Sequence, residues 1–262
     1  MAYADSRGVR IHYEVEGDGT PLVLQHGFTQ SIEGWYRCGY VDALKQNYRL
    51  VLIDARGHGK SDKPRDRAAY TWPVGAVDVL AVLDALGIRQ SCFLGYSMGG
   101  NIGLSALTLA PERVTALVAG GATAEADNIG SRMRHVDGSN PEAFVAAFES
   151  FMKASFPPAI RIAVLASDTR ALAAATQDRP SLFEQLSKVN TPCLLYVGGQ
   201  DFRLPSAQAT ADRIPNAKLE ILPGLAHPEG FLRSDLVLPL VLSFLEEATR
   251  GRRPNSGMEP TR

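Results

Sequence analysis

Chemistry concentrates at Gly95-Tyr96-Ser97-Met98-Gly99. An apolar run ends at Gly95, and a helix-like segment follows the second glycine. In a strand–turn–helix setting, the spacing G-x-S-x-G makes a sharp turn that holds the serine exposed in a strained conformation. The flanking positions must be small, because backbones nearly touch there. The N-terminus of the following helix favours negative charge developing beside the hydroxyl. A serine hydroxyl is a poor nucleophile at neutral pH and needs a base. His227 stands on the loop after the last expected strand and can reach back over the sheet edge to Ser97. Asp201, just past the preceding strand, is well placed to orient that histidine. Glu125 and Asp127, after the sixth strand, are the alternative orienting acids.

Two further loops follow apolar strands. In His26-Gly27-Phe28 the glycine lets backbone approach a ligand closely, so the Phe28 amide is a candidate oxyanion donor. The Met98 amide is the second. His26 itself reads as a structural loop histidine. The stretch from Asp54 to Asp62 lacks the G-x-x-x-x-G-K-[ST] spacing of a phosphate-binding loop. It reads as a structural loop tied by hydrogen bonds of Asp54, Arg56 and Ser61. His58 precedes the serine and is not expected to be the base.

These residues need a frame. A hairpin is expected from Tyr3–Ser6 and Val9–Glu16, the second arm alternating through Val9, Ile11, Tyr13 and Val15. Apolar strands follow at Pro21–Gln25, Arg49–Ile53, Cys92–Tyr96, Val114–Ala119, Cys193–Val197 and Lys218–Leu222. Helical patterns fall at Val74–Leu86, Asn101–Ala110, Ser206–Ile214 and Ser234–Thr249. Continuous apolar strands separated by helices imply an α/β fold with a mostly parallel, eight-stranded sheet flanked by helices. Ligands then bind beyond the carboxyl ends of the strands, where the loops above lie.

From Ala122 to about Val189 only helical segments are expected. Asn140-Pro141-Glu142 starts one, with Phe144, Val145, Phe148, Phe151 and Met152 at helical spacing. Shorter segments follow at Ile160–Leu165, Asp168–Gln177 and Ser181–Val189. This region, 122–189, is expected to form a helical lid over the carboxyl edge. Phe144, Phe148, Phe151 and Met152 are the candidate pocket residues. The core is assigned to 1–121 and 190–250, and residues 251–262 to a disordered tail.

The composition narrows the partners. Lys plus Arg number 27 against 28 Asp plus Glu, which gives no electrostatic case for nucleic acid or an anionic membrane. No run of apolar residues is long enough to span a bilayer, and the N-terminus does not pattern as a secretion signal. Three cysteines cannot close a disulfide framework, and a reducing, cytoplasmic setting fits. No metal-ligand spacing is present, so no metal site is expected.

Several motifs in one order make the chain similar to the α/β-hydrolase superfamily. They are His26-Gly27-Phe28, Asp54-x-Arg56-Gly57-His58-Gly59-x-Ser61, the Gly95–Gly100 elbow, Gly198-Gly199-Gln200-Asp201 and His227. The resemblance covers nearly the whole chain apart from the tail. Within the superfamily it is nearest the small lidded esterases, enol-lactonases, C–C bond hydrolases and cofactor-free perhydrolases. Ala226 stands where the family often has glycine. The serine at the elbow argues against the alkyl-enzyme ester chemistry of relatives that carry aspartate there. The resemblance implies a serine hydrolase acting through an acyl-enzyme on a small hydrophobic ester or lactone, without a cofactor. C–C bond hydrolysis or perhydrolysis by the same three residues is the alternative, and a ligand-binding receptor on this fold is the third reading.

Overall fold

The computed structural model describes residues 1–152 and 155–250. Eight strands form one sheet: β1 (Ala2–Ser6), β2 (Val9–Glu16), β3 (Thr20–Gln25), β4 (Tyr48–Ile53), β5 (Ser91–Tyr96), β6 (Val114–Gly120), β7 (Cys193–Gly198) and β8 (Ala217–Leu222). Their spatial order is β1-β2-β4-β3-β5-β6-β7-β8. The β1–β2 and β2–β4 pairs are antiparallel, and every pair from β4 to β8 is parallel. Every expected strand is therefore present, within a residue or two of its expected bounds.

Helices cover both faces. They are α1 (Glu33–Arg37), α2 (Tyr40–Leu44), α3 (Val74–Ala85), α4 (Met98–Leu109), α5 (Ile129–Met133), α6 (Pro141–Met152), α7 (Pro158–Leu165), α8 (Thr169–Ala175), α9 (Phe183–Leu186), α10 (Leu204–Ala211), α11 (Glu229–Leu232) and α12 (Ser234–Thr249). Successive strand residues point to opposite faces, and this divides the core into two layers. Val23, Val51, Phe93 and Leu117 pack with Val79 and Leu83 of α3 and Leu104 of α4. Leu22, Leu24, Leu94 and Val118 pack on the other face with Trp35, Leu44 and Val241. Both layers are buried, which is why the central strands read as continuous apolar runs.

Residues 122–189 hold α5 to α9, and the one strand-like feature among their described residues is an isolated bridge between Asp127 and Arg179. Here α6 begins as its sequence suggests, with Asn140 Oδ1 accepting from the Ala143 amide at 3.2 Å. Met133, Phe144, Val145, Phe148, Val164 and Leu172 form a third, separate apolar cluster, with Phe28 packed against it. Among the described residues no helix is long and apolar enough to cross a membrane. The expected tail, 251–262, lies outside the described residues.

Candidate active site

Strands β3 and β5 run in register, with Gln25 opposite Gly95, so the loops after them emerge side by side. At the end of β5 the chain turns directly into α4, which begins at Met98 rather than three residues later as its pattern suggests. Ser97 is the whole turn. Its φ of 52° and ψ of −111° are rare for a residue with a side chain, and it is held there by its neighbours. Its amide donates to Gly120 O at 2.7 Å, and its carbonyl accepts from the Asn101 amide at 3.0 Å. A Cβ on Gly95 would stand 2.3 Å from the Gly99 carbonyl oxygen. One on Gly99 would stand 1.9 Å from that of Gln25. The first glycine thus admits the helix, and the second admits the neighbouring strand.

Residues 130 positions apart meet here. His227 Nε2 lies 2.9 Å from Ser97 Oγ, and His227 Nδ1 lies 2.7 Å from Asp201 Oδ2. A carboxylate only accepts, so Nδ1 carries the proton and Nε2 presents its lone pair to the serine hydroxyl. Asp201 Oδ1 also accepts from the Arg203 amide at 2.9 Å. The Tyr96 hydroxyl donates to the His227 carbonyl and ties that loop to the end of β5. Asp201 is thus the partner of His227. The two alternative acids are engaged elsewhere: Glu125 accepts from the Ser206 hydroxyl, and Asp127 pairs with Arg179 and Arg203.

His26 is fully buried and bonded through both ring nitrogens. Nδ1 donates to Gly27 O at 2.8 Å, and Nε2 accepts from the Ala55 amide at 3.0 Å. Burial pushes its pKa down, which keeps it neutral. Gly27 lies against the turn: a Cβ on it would stand 3.6 Å from the Ser97 Cβ. Among the described residues, the Phe28 and Met98 amides donate to no protein acceptor.

The Asp54–Asp62 loop is knotted by the expected residues. Asp54 accepts from the Ile32 and Lys60 amides, each at 2.9 Å, and Ser61 Oγ donates to the Asp54 carbonyl. Arg56 holds Asp78 through two bonds of 2.8 and 2.6 Å. His58 donates through Nδ1 to the Arg56 carbonyl, and its buried Nε2 has no partner among the described residues. Burial takes its pKa down to about 3.

A cavity of about 200 Å³ opens onto Ser97 and His227, and Phe148, Phe151 and Met152 of α6 help line it. Phe144 corrects the sequence reading, because it does not line the cavity. It sits a turn earlier on α6, is fully buried, and packs against both Phe148 and Phe28 in the third cluster. Sequence reasoning missed Arg179 and Arg203, which do line the cavity. The position of Arg203 two residues after Asp201 was the available signal.

Residues 20–161 match the family described as alpha/beta hydrolase fold. The chain is 30% identical to a protein designated carbamate hydrolase RutD from Azorhizobium caulinodans, over 94% of this chain and 99% of the relative. It is 29% identical to a protein designated non-heme chloroperoxidase from Synechocystis sp., over 92% of this chain and 97% of that one. Among solved structures, esterase RhEst1 from Rhodococcus sp. ECU1013 is similar at a TM-score of 0.81 and 28% identity, covering 94% of this chain and 98% of that one.

Proposed function

The chain belongs to the α/β-hydrolase family, and on that premise we propose that it is a serine hydrolase of small carboxylic esters or lactones working through an acyl-enzyme. The observation that carries this reading is the line of hydrogen bonds from Asp201 through His227 to Ser97, 2.7 and 2.9 Å long, opening onto a mainly apolar cavity.

Ser97 Oγ attacks the carbonyl carbon while His227 Nε2 takes its proton, and Asp201 holds the tautomer and stabilises the imidazolium. The carbonyl oxygen becomes an oxyanion, which accepts from the amides of Phe28 and Met98; that neither amide donates to a protein acceptor among the described residues supports this role. Collapse of the oxyanion breaks the bond to the leaving oxygen, which departs as an alcohol with the proton His227 took from Ser97. Water gives a proton to the same nitrogen as it attacks the acyl-serine; the acyl C–O bond breaks, Ser97 Oγ takes that proton from His227, and the carboxylic acid leaves. The helices of 122–189 serve as a lid that keeps bulk water from this space, with Phe148, Phe151 and Met152 against the substrate.

The two relatives found by sequence are named for different reactions, and the third, found by structure, is named an esterase. The lining of the cavity rather than the triad therefore has to select the substrate. Stopped-flow hydrolysis of a p-nitrophenyl acyl ester tests the reading. A burst of nitrophenolate equal to the enzyme concentration is expected, absent in Ser97→Ala; hydrolysis undiminished in that variant contradicts it.

A further inference from the structure

The cavity that opens onto Ser97 carries more positive charge than it neutralises. Five charged side chains line it: Arg56, Asp78, Asp127, Arg179 and Arg203. Arg56 and Asp78 are closed on each other by two bonds. That leaves two guanidinium groups against the single carboxylate of Asp127. Arg179 Nη2 lies 2.6 Å and Arg203 Nη2 3.4 Å from the same oxygen, Asp127 Oδ2. The other oxygen accepts from the Ile129 amide. These side chains are only 9 to 17% exposed, so water does little to screen the excess.

Asp201 is not among the residues that line the cavity. Its carboxylate hydrogen-bonds to His227 and to the backbone amide of Arg203, and the only ion pair of the Arg203 guanidinium among the described residues is with Asp127. Each guanidinium offers five N–H donors. Among the described residues Arg179 uses one of them, and the Nε of Arg203 is buried without an acceptor. Burial, the largest cause, and the neighbouring Arg203 lower the pKa of Arg179 against the attraction of Asp127. A brace between the 127 and 179 segments needs one arginine; the second is left over.

We propose that Arg179 and Arg203 form an anion subsite in the cavity, so that the preferred substrate carries a carboxylate as well as its scissile carbonyl. A carboxylate fits the excess of one positive charge, whereas a phosphate dianion would leave the cavity negative. It also matches the planar donor fork of arginine. The proposal rests on the hydrolase reading for the reaction, and the binding of the anion stands apart from it.

Two measurements test it. The first compares p-nitrophenyl half-esters of succinic, glutaric and adipic acid with neutral p-nitrophenyl esters of equal length, and 4-carboxyphenyl with phenyl butyrate. At least one carboxylate-bearing member should be favoured roughly ten- to hundredfold in kcat/KM, mostly through KM. That ratio should collapse toward one in Arg203→Gln and Arg179→Gln, and partly survive in Arg179→Lys. The second measures the thermal shift of the enzyme with 4-phenylbutyrate and with 4-phenylbutyramide. Only the acid should stabilise the wild type, and Arg203→Gln should abolish its effect. Equal preference for charged and neutral esters, equal stabilisation by both probes or by neither, or a ratio that persists in folded Arg→Gln variants overturns the proposal. Arginine-dependent binding of the acid without turnover of any ester would uphold the subsite and sink the hydrolase reading instead.

Discussion

His26 Nδ1 donates to the carbonyl of Gly27 at 2.8 Å, and this bond fixes which way the Phe28 amide points. The two groups are opposite ends of one trans peptide, so anchoring the oxygen turns the N–H the other way. The Gln30 amide, 3.2 Å from the same oxygen, adds a second anchor. A residue that reads as structural thus sets the orientation of the Phe28 amide.

Replacing His26 with alanine should therefore cost both stability and rate. The Ala55 amide loses its acceptor, worth about 1–3 kcal/mol when buried. If the Phe28 amide is the oxyanion donor, kcat should fall roughly a hundredfold with KM little changed. Thermal melts and ester kinetics on the same preparation check this. Lower stability with unaltered kcat would separate the loop from catalysis.

Asp201→Asn should lower kcat by roughly four orders of magnitude, the scale seen when a triad loses its orienting carboxylate. Asp127→Asn should leave the reaction of a neutral ester far less affected, because Asp127 faces the two arginines. A reversed order in steady-state kinetics would return the orienting role to Asp127.

Gly99→Ala tests the packing beneath the turn. A Cβ there would stand 1.9 Å from the Gln25 carbonyl, and both partners are backbone. We expect a loss of at least about 2 kcal/mol and a Tm lower by roughly 4 °C or more. A variant that melts with the wild type would mean that β3 and α4 can part without cost.

The frame was legible because its signals are local. Six apolar runs and the two arms of a hairpin, bounded by turn residues, predict eight strands, and the loops after them carry Ser97, Asp201 and His227. What was not legible depends on packing between distant segments. The spacing of Phe144, Phe148, Phe151 and Met152 gives a helix with an apolar face, but periodicity does not divide that face between a cavity and a neighbouring cluster. Phe144 falls to the cluster. Helices α1, α2, α5 and α11 have four or five residues each, too short for a periodic pattern to emerge. Arg179 gains its meaning only where a bridge sets it beside Asp127.

Stability should depend on pH through His26 and His58. Burial lowers both below the ordinary value of 6.5, His58 to about 3. In the unfolded chain each binds a proton near pH 6.5; in the folded chain His26 does so only at lower pH, and His58 only near pH 3. The unfolded state therefore binds more protons below pH 6.5, and stability is lost as pH falls through that window. For His58 the window extends to about pH 3. Each ring contributes up to about 1.4 kcal/mol per pH unit. Melts between pH 7.5 and 5 should show Tm falling with acidity, with a shallower slope in His58→Gln. An identical slope in that variant would exclude His58 as a source.

The most direct measurement is covalent labelling of the enzyme with a fluorophosphonate, followed by peptide mass spectrometry. The account predicts one adduct per chain, on the peptide containing Ser97, absent from Ser97→Ala and formed far more slowly by His227→Gln. A folded wild-type protein that takes up no label, or takes it up equally after loss of His227, would contradict the claim that this histidine makes this serine a nucleophile.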